Sequence, residues 1–317
     1  MREQPSFTVA ALYHFTQLGD LDNKKSRLEL LCEKMQIRGT ILLADEGING
    51  TIAGNLSAIK DIVAHIKAWD EIDQIELKFS TSQKMNFNRM KVKIKKEIVT
   101  MGQEINVAKD SGQYVKPQDW NSLISRDDVL LIDTRNQYET RIGNFQKAID
   151  PRTDNFQQFP KWADDLKEET DLNTKIAMYC TGGIRCEKAS YYMKKIGFTD
   201  IYQLNGGILN YLQKISQDDS LWNGECFVFD NRVSVDHDLK KGTYMLCRGC
   251  NNPMSITETQ SPKYEKDVSC PVCYSLASDE KKNRSRERVK QIDLSVSRNE
   301  VPSHVTPTVD EYVSGNY

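Results

Sequence analysis

Residues 176–190, IAMYCTGGIRCEKAS, decide how the chain is to be read. Ile176, Ala177, Met178 and Tyr179 form a short apolar run, as in a strand buried on both faces of a parallel sheet. The run ends at Cys180. Thr181, Gly182 and Gly183 follow as a tight loop, then Ile184 and Arg185, and a helix is expected to begin near Cys186-Glu187. Gly182 and Gly183 permit backbone conformations that a Cβ obstructs, so successive N–H groups can point at one anion. The helix N-terminus adds partial positive charge and Arg185 a whole one. These features lower a thiol's pKa. An ordinary cysteine near about 8.5 is only about 3% thiolate at neutral pH, and a drop of roughly two units raises that to about 75%. Cys180 is therefore expected to be a nucleophile, in a pocket that also suits the terminal anionic sulfur of a persulfide. Phosphatases use the same geometry with a C-x5-R loop around a tetrahedral phosphate. Here the spacing is C-x4-R, which favours a smaller species such as a sulfane sulfur.

Working outward, strands are expected at 129–132, 176–179 and 201–204, and helices at 159–166, 187–195 and 208–215. That alternation predicts an α/β domain with a parallel sheet over residues 119–218. Asp133 lies at the C-terminal end of its strand, the edge where such sheets place their sites. It can pair with Arg135 or with Arg185 and so orient the loop, or serve only as a strand-end salt bridge.

The first hundred residues read as strand, helix, strand, strand, helix, strand, strand. Strands are expected at 7–15, 38–44, 50–54, 75–80 and 89–99, with a turn over 45–49. The helix after Asn55 carries Leu56, Ile59, Ile62, Val63, Ile66 and Trp69 at helical spacing. The order suggests a ferredoxin-like α+β domain over 1–108. A linker is expected around Asp110-Ser111-Gly112 and Lys116-Pro117-Gln118. Residues 224–277 turn to short β-like pieces and cysteine pairs, and 278–317 lack periodicity, so a disordered tail is expected there.

Eight cysteines occur in the 317 residues, four of them in two CxxC pairs. Cys247-x2-Cys250-x19-Cys270-x2-Cys273 has the spacing of a closed, structural zinc site. This usage fits a reducing compartment, and no signal peptide or apolar run of membrane-spanning length is read, so a cytoplasmic location is expected. Cys32 and Cys226 are read as core residues. Cys186 is expected to sit on the helix, its side chain not aimed at the cradle.

The formal net charge of −2 excludes a global basic field of the kind that nucleic-acid binders use. Phosphates must then be met by a local patch. Lys91, Lys93 and Lys95 alternate with apolar residues and, with Arg89, form a basic stripe along a strand. Such a stripe suits backbone phosphates, and it equally protects an exposed edge from pairing with another sheet. The basic run 281–288 can also touch RNA, although a solvated tail is the preferred reading there.

CTGGIRCEKAS (180–190), Asp133-Thr134-Arg135 followed by Tyr138-Glu139, and Asn205-Gly206-Gly207-Ile208 together resemble a rhodanese domain. With Glu46-Gly47-Ile48-Asn49-Gly50 and Arg89-Met90-Lys91-Val92-Lys93, the chain resembles the rhodanese-containing tRNA uridine hydroxylases over about residues 7–275. The resemblance implies oxygen-dependent formation of 5-hydroxyuridine at the wobble position of tRNA, with Cys180 as the active-site residue. Arg141 stands where a third acidic residue is expected after Tyr138-Glu139. The reaction needs molecular oxygen and a reductant that no motif identifies. The four histidines make no H-x-D/E iron motif, and no flavin, nicotinamide or haem signature is present. The sulfur of Cys180, as thiolate adding to C6 of uracil or as persulfide, is what remains. Two other classes stay open: a sulfurtransferase carrying a persulfide on Cys180, and a non-catalytic adaptor that keeps the fold. Oligomeric state has no signature in the sequence.

Overall fold

A computed structural model of the chain describes residues 6–105 and 111–298. The N-terminal part runs β1 (Phe7–Phe15), α1 (Leu21–Lys34), β2 (Arg38–Ala44), β3 (Gly47–Gly54), α2 (Leu56–Lys67), β4 (Glu76–Ser82) and β5 (Met90–Ile94). The sheet order is β4-β1-β3-β2-β5, antiparallel except for β5, which lies parallel to β2. This is the expected ferredoxin-like order with one strand added at the edge. Ile59, Ile62 and Ile66 of α2 and Leu28 of α1 pack onto Leu12, Ile41, Ile48 and Ile52. Both helices thus cover one face of the sheet, and the other face is left for the rest of the chain.

Three strands differ in their limits from expectation, β4 only by running over Glu76–Ser82 instead of 75–80. The turn after β2 is only Asp45-Glu46, because Gly47 already lies against β1, where a Cβ would sit 2.0 Å from the His14 carbonyl. Ile48 and Asn49 are therefore strand residues. Strand β5 ends at Ile94 rather than Val99, since its partner β2 ends at Ala44. Beyond it the chain turns inward, and Ile98 is fully buried.

The expected linker is also partly structural. Gln113–Val115 forms β6, an edge strand, and Pro117 opens α3 (Pro117–Ile124) from its first turn, where its missing N–H costs nothing. Asp110 lies outside the described residues. There follow β7 (Val129–Asp133), α4 (Gln137–Thr140), β8 (Gly143–Phe145), α5 (Phe159–Glu169), β9 (Lys175–Tyr179), α6 (Ile184–Lys195), β10 (Ile201–Leu204) and α7 (Gly207–Lys214). The sheet β6-β10-β9-β7 is parallel throughout. Ile176 and Met178 point into one core with Phe159, Ala189 and Met193, and Ala177 and Tyr179 into the other with Trp120, Ile208 and Tyr211. Burial on both faces is why the run 176–179 has no polar alternation.

Strand β11 (Trp222–Gly224) pairs with β8, then β12 (Cys226–Phe227) pairs with β13 (Ser234–Val235) and β14 (Met245–Leu246) with β15 (Pro253–Met254). The disorder expected from 278 onward is corrected over α8 (Asp279–Ser297). This helix is mostly polar, and its few apolar residues, among them Val289, Ile292 and Leu294, are confined to its C-terminal half. Arg286 fixes it through both oxygens of Glu265 at 2.7 Å. Residues 299–317 of the expected tail lie outside the described residues. Among the described residues no helix is long and apolar enough to cross a membrane.

Candidate active site between the two sheets

Cys180 follows the last residue of β9 and is fully buried. The Gly183 N–H donates to its sulfur at 3.1 Å, and the Arg185 and Cys186 N–H groups add to it. The loop's carbonyls face away from the sulfur. Cys180 O and Thr181 O accept from the Ile208 and Leu209 N–H groups at 3.0 and 3.1 Å, at the start of α7. That approach requires glycine at 207, where φ is +65° and a Cβ would lie 2.4 Å from Cys180 O. Gly183 has φ +103°. Gly182 faces open space.

Burial alone pushes the Cys180 thiol up. A hydrogen bond from the Cys186 thiol, the Arg185 charge and the loop N–H groups outweigh it, and the thiol lies well below its ordinary value. Cys186 moves the opposite way, held protonated by burial and by its bond to Cys180. Its sulfur also meets Thr134 Oγ1 at 3.6 Å. The helix starts at Ile184, two residues early, which turns the Cys186 thiol toward the cradle rather than away from it.

The Arg185 guanidinium is engaged elsewhere than expected. Its fork takes both carboxylate oxygens of Glu139, at 2.6 and 2.8 Å, and both residues are buried. Glu139 also accepts from Thr181 Oγ1 at 3.2 Å. Of the two partners open to Asp133, the structure uses Arg135, with Nη2 to Oδ2 at 2.6 Å. Arg135 in turn holds Gly143 O at 2.6 Å and Glu139 O at 3.3 Å. Asp133 and Arg135 therefore fix the segment that carries Glu139, and neither lines the cavity at Cys180. Thr181, Gly182 and Ile184 do line it.

That cavity has a volume of about 510 Å³ and lies between the Cys180 loop and the helix-free face of the N-terminal sheet. Tyr13, Thr51 and Lys78 approach from the sheet, and Phe229, Asp230 and Arg232 from the segment after β12. Lys78 donates to Gly182 O at 2.7 Å. Tyr13 donates to Glu187 Oε1 at 3.2 Å, and the Tyr114 hydroxyl meets the same oxygen at 2.8 Å. Lys188, fully buried on α6, spans the domains to Glu46 and Glu97 at 2.8 and 2.6 Å. Sequence reading assigned no role to Glu139, Lys78 or Lys188. Only Glu139 carried a local signal, the Asn136-x-x-Glu139 spacing of a capping box.

The stripe lies on edge strand β5. Register places Lys91 beside Thr40 and Lys93 beside Leu42, and Thr40, Leu42 and Lys95 line the cavity. Lys93, Lys95 and Arg89 are exposed and Lys91 is half-buried. Met90 and Val92 point the other way, into the core.

The four paired cysteines converge, all sulfurs within 4.8 Å of one another. Cys247–Cys273, Cys250–Cys270 and Cys270–Cys273 are 3.9, 3.8 and 3.8 Å apart. Ligands about 2.3 Å from a tetrahedral zinc stand about 3.8 Å apart, so this set can hold such an ion. Arg141, the unexpected basic residue, reaches this module through Pro253 O and Glu258.

Residues 7–98 match the family model for the UPF0176 acylphosphatase like domain, and residues 116–214 that of the rhodanese-like domain. The tRNA uridine(34) hydroxylase of Rhizobium leguminosarum bv. trifolii is 51% identical over 295 residues, spanning 92% of this chain and 94% of the relative. That of Mesorhizobium japonicum is 48% identical over 295 residues, spanning 93% and 95%. With identity at this level across both domains and the cysteine module, the chain belongs to the tRNA uridine(34) hydroxylase family.

Proposed function

We propose that this protein hydroxylates C5 of the uridine at position 34 of tRNA, with molecular oxygen as co-substrate and Cys180 as the active-site sulfur, working as thiolate or persulfide. The observation that carries the reading is the sulfur of Cys180 in a cradle of N–H groups on the floor of a cavity roofed by a second domain. A sulfur carrier needs only the cradle. A roofed cavity of this size accommodates a base, and position 34, in a single-stranded loop, is cheap to extrude from its stack. Arg185 supports the thiolate state, and Thr181, Gly182, Gly183, Ile184, Asp133 and Arg135 hold the loop and its surroundings. Placing one oxygen atom of O2 on carbon and reducing the other to water takes two electrons and two protons. The electrons come from a reductant outside the chain. Lys95 lines the cavity, Arg89, Lys91 and Lys93 continue from it along the same sheet edge, and the four are suited to tRNA phosphates. Cys247, Cys250, Cys270 and Cys273 would hold a structural zinc remote from the reaction.

Nucleoside mass spectrometry of tRNA from cells lacking the protein, complemented with wild type or Cys180→Ser, tests the reading. 5-Hydroxyuridine at position 34 should return with the wild type and not with the variant. Hydroxylation restored by Cys180→Ser would overturn it. Thiosulfate-to-cyanide transfer by the purified protein, without tRNA hydroxylation, would establish the sulfurtransferase instead.

A further inference from the structure

The Cys180 loop works because its carbonyls are turned outward and held. Cys180 O and Thr181 O are taken by α7, and Gly183 O by the Cys186 N–H at 2.9 Å. The remaining carbonyl, Gly182 O, is taken by Lys78 Nζ, which comes from β4 of the other domain. This is the one carbonyl clamp of the loop that carries a charge. The Lys78 ammonium lines the cavity beside Cys180 and stands 5.4 Å from the centre of the Tyr13 ring. Most of the other cations at the cavity are paired, Lys95 at the strand edge excepted. Arg185 is bound to Glu139, Lys188 to Glu46 and Glu97, and Arg232 to Asp230, whereas Lys78 makes no ion pair among the described residues. Burial lowers the Lys78 pKa, and Glu76 on its own strand together with Cys180 and Glu187 across the interface act against that shift. Two of its three protons remain directed away from the loop carbonyl.

We propose that Lys78 is a further positioning residue of the reaction: it fixes the Gly182 carbonyl, which aims the N–H cradle, and it presents to the cavity a positive charge that favours the anionic state of Cys180. The part concerning tRNA rests on the hydroxylase reading, and the part concerning the sulfur does not. Arg185 shares its charge with Glu139, so its help to the Cys180 anion is partial. Docking of the N-terminal domain adds a second cation, so the thiolate is most stable when the roof of the cavity is in place.

The test uses the full chain as Lys78→Gln, which keeps a donor without charge, and Lys78→Arg, which keeps both. The pH dependence of Cys180 alkylation by iodoacetamide is followed at the Cys180 peptide by mass spectrometry, and position-34 hydroxylation is measured in complemented cells. In Lys78→Gln the alkylation midpoint should rise by about one pH unit, an approximately tenfold slower reaction below it. Hydroxylation should fall, while Lys78→Arg retains both properties. Lys78→Met, with the stem intact but neither charge nor donor, should shift the midpoint at least as far, and it replaces the glutamine variant should that one melt early. An unchanged midpoint in the uncharged variants, or an equal shift in arginine and glutamine, would overturn the proposal. A shifted midpoint in a protein whose wild type hydroxylates no tRNA would leave Lys78 standing and remove the hydroxylase reading.

Discussion

At the scale of single residues, the chemistry turns on how two thiols six positions apart come to differ. Both are buried, and burial pushes both upward. Cys180 escapes because three N–H groups, the Arg185 charge and the Cys186 thiol all favour its anion. Cys186 then becomes the proton donor of the pair. The sign of the pH dependence follows. With its thiol below the ordinary value, Cys180 should alkylate at neutral pH and lose reactivity only on acidification. Removing a donor to the thiolate moves that loss to higher pH. Cys186→Ala should therefore slow Cys180 alkylation at pH 7 several-fold, whereas Cys186→Ser, whose hydroxyl still donates, should keep most reactivity and most hydroxylation. Peptide-resolved alkylation rates check this, and an alanine variant indistinguishable from wild type would mean the second thiol is a bystander. The N–H cradle around Cys180 was readable from CTGGIR. The donor role of Cys186 was not, since it depends on α6 starting at Ile184. Nor was the pairing of Arg185, because Glu139 lies 46 residues upstream and only the fold brings it back.

At the scale of elements, those with a clean period were legible and those without one were not. Helix α2 followed from its spacing, strands β1 and β2 from their β-rich composition, and β7 and β9 from their short apolar runs. Helix α8 did not, since its first ten residues are all polar and its few apolar ones come late. Strand β5 shows alternation with two competing meanings, edge protection and phosphate contact. Its place beside the cavity, with Lys95 in the lining, favours the second. Changing Lys91, Lys93 and Lys95 to glutamate should weaken tRNA binding and flatten its dependence on salt, because fewer counterions are released. Binding titrations from about 50 to 200 mM salt measure both, and an unchanged slope would return the lysines to edge protection. The cysteine module makes a sharper case. Its strands are two residues long and its buried cluster is small, so a metal held by the four cysteines would supply what so little packing does not. Elemental analysis should find about one zinc per chain. Cys250→Ser should lose it and loosen the contacts of Arg141 with Pro253 and Glu258, while Cys180 alkylation stays as in the wild type. Metal-free protein purified without chelator would sink this.

At the scale of the molecule, the site belongs to neither domain. Each sheet was legible by itself, but the docking of the helix-free face of one over the Cys180 loop of the other has no local signal. The device that sets it is Lys188, which the sequence offers only as a letter within the CEKAS string. Its ammonium is fully buried between Glu46, in the β2–β3 turn, and Glu97, just past β5. Both carboxylates also hold backbone on their own side: Glu46 accepts from the Ile98 N–H, and Glu97 from the Met101 and Gly102 N–H groups. The lysine is thus locked to a rigid receptor rather than to two mobile surface groups. Lys188→Met keeps the stem but leaves two partly buried carboxylates facing each other. Breaking a pair of this kind costs about 3–5 kcal/mol, less here to the extent that the glutamates reach water. The loss should appear first as separation of the domains, since the cores of the two sheets are untouched. Hydrogen exchange should accelerate in residues 96–102 and around Gly182, where the Lys78 contact slackens, and the urea midpoint should drop. Position-34 hydroxylation should fall although Cys180, Arg185 and Glu139 are unchanged. Adding Glu97→Gln to Lys188→Met removes the repulsion and should recover part of the stability without recovering the ion pair. If Lys188→Met keeps wild-type stability, exchange and hydroxylation, the domains are held by apolar contact alone and the lysine is incidental to their docking.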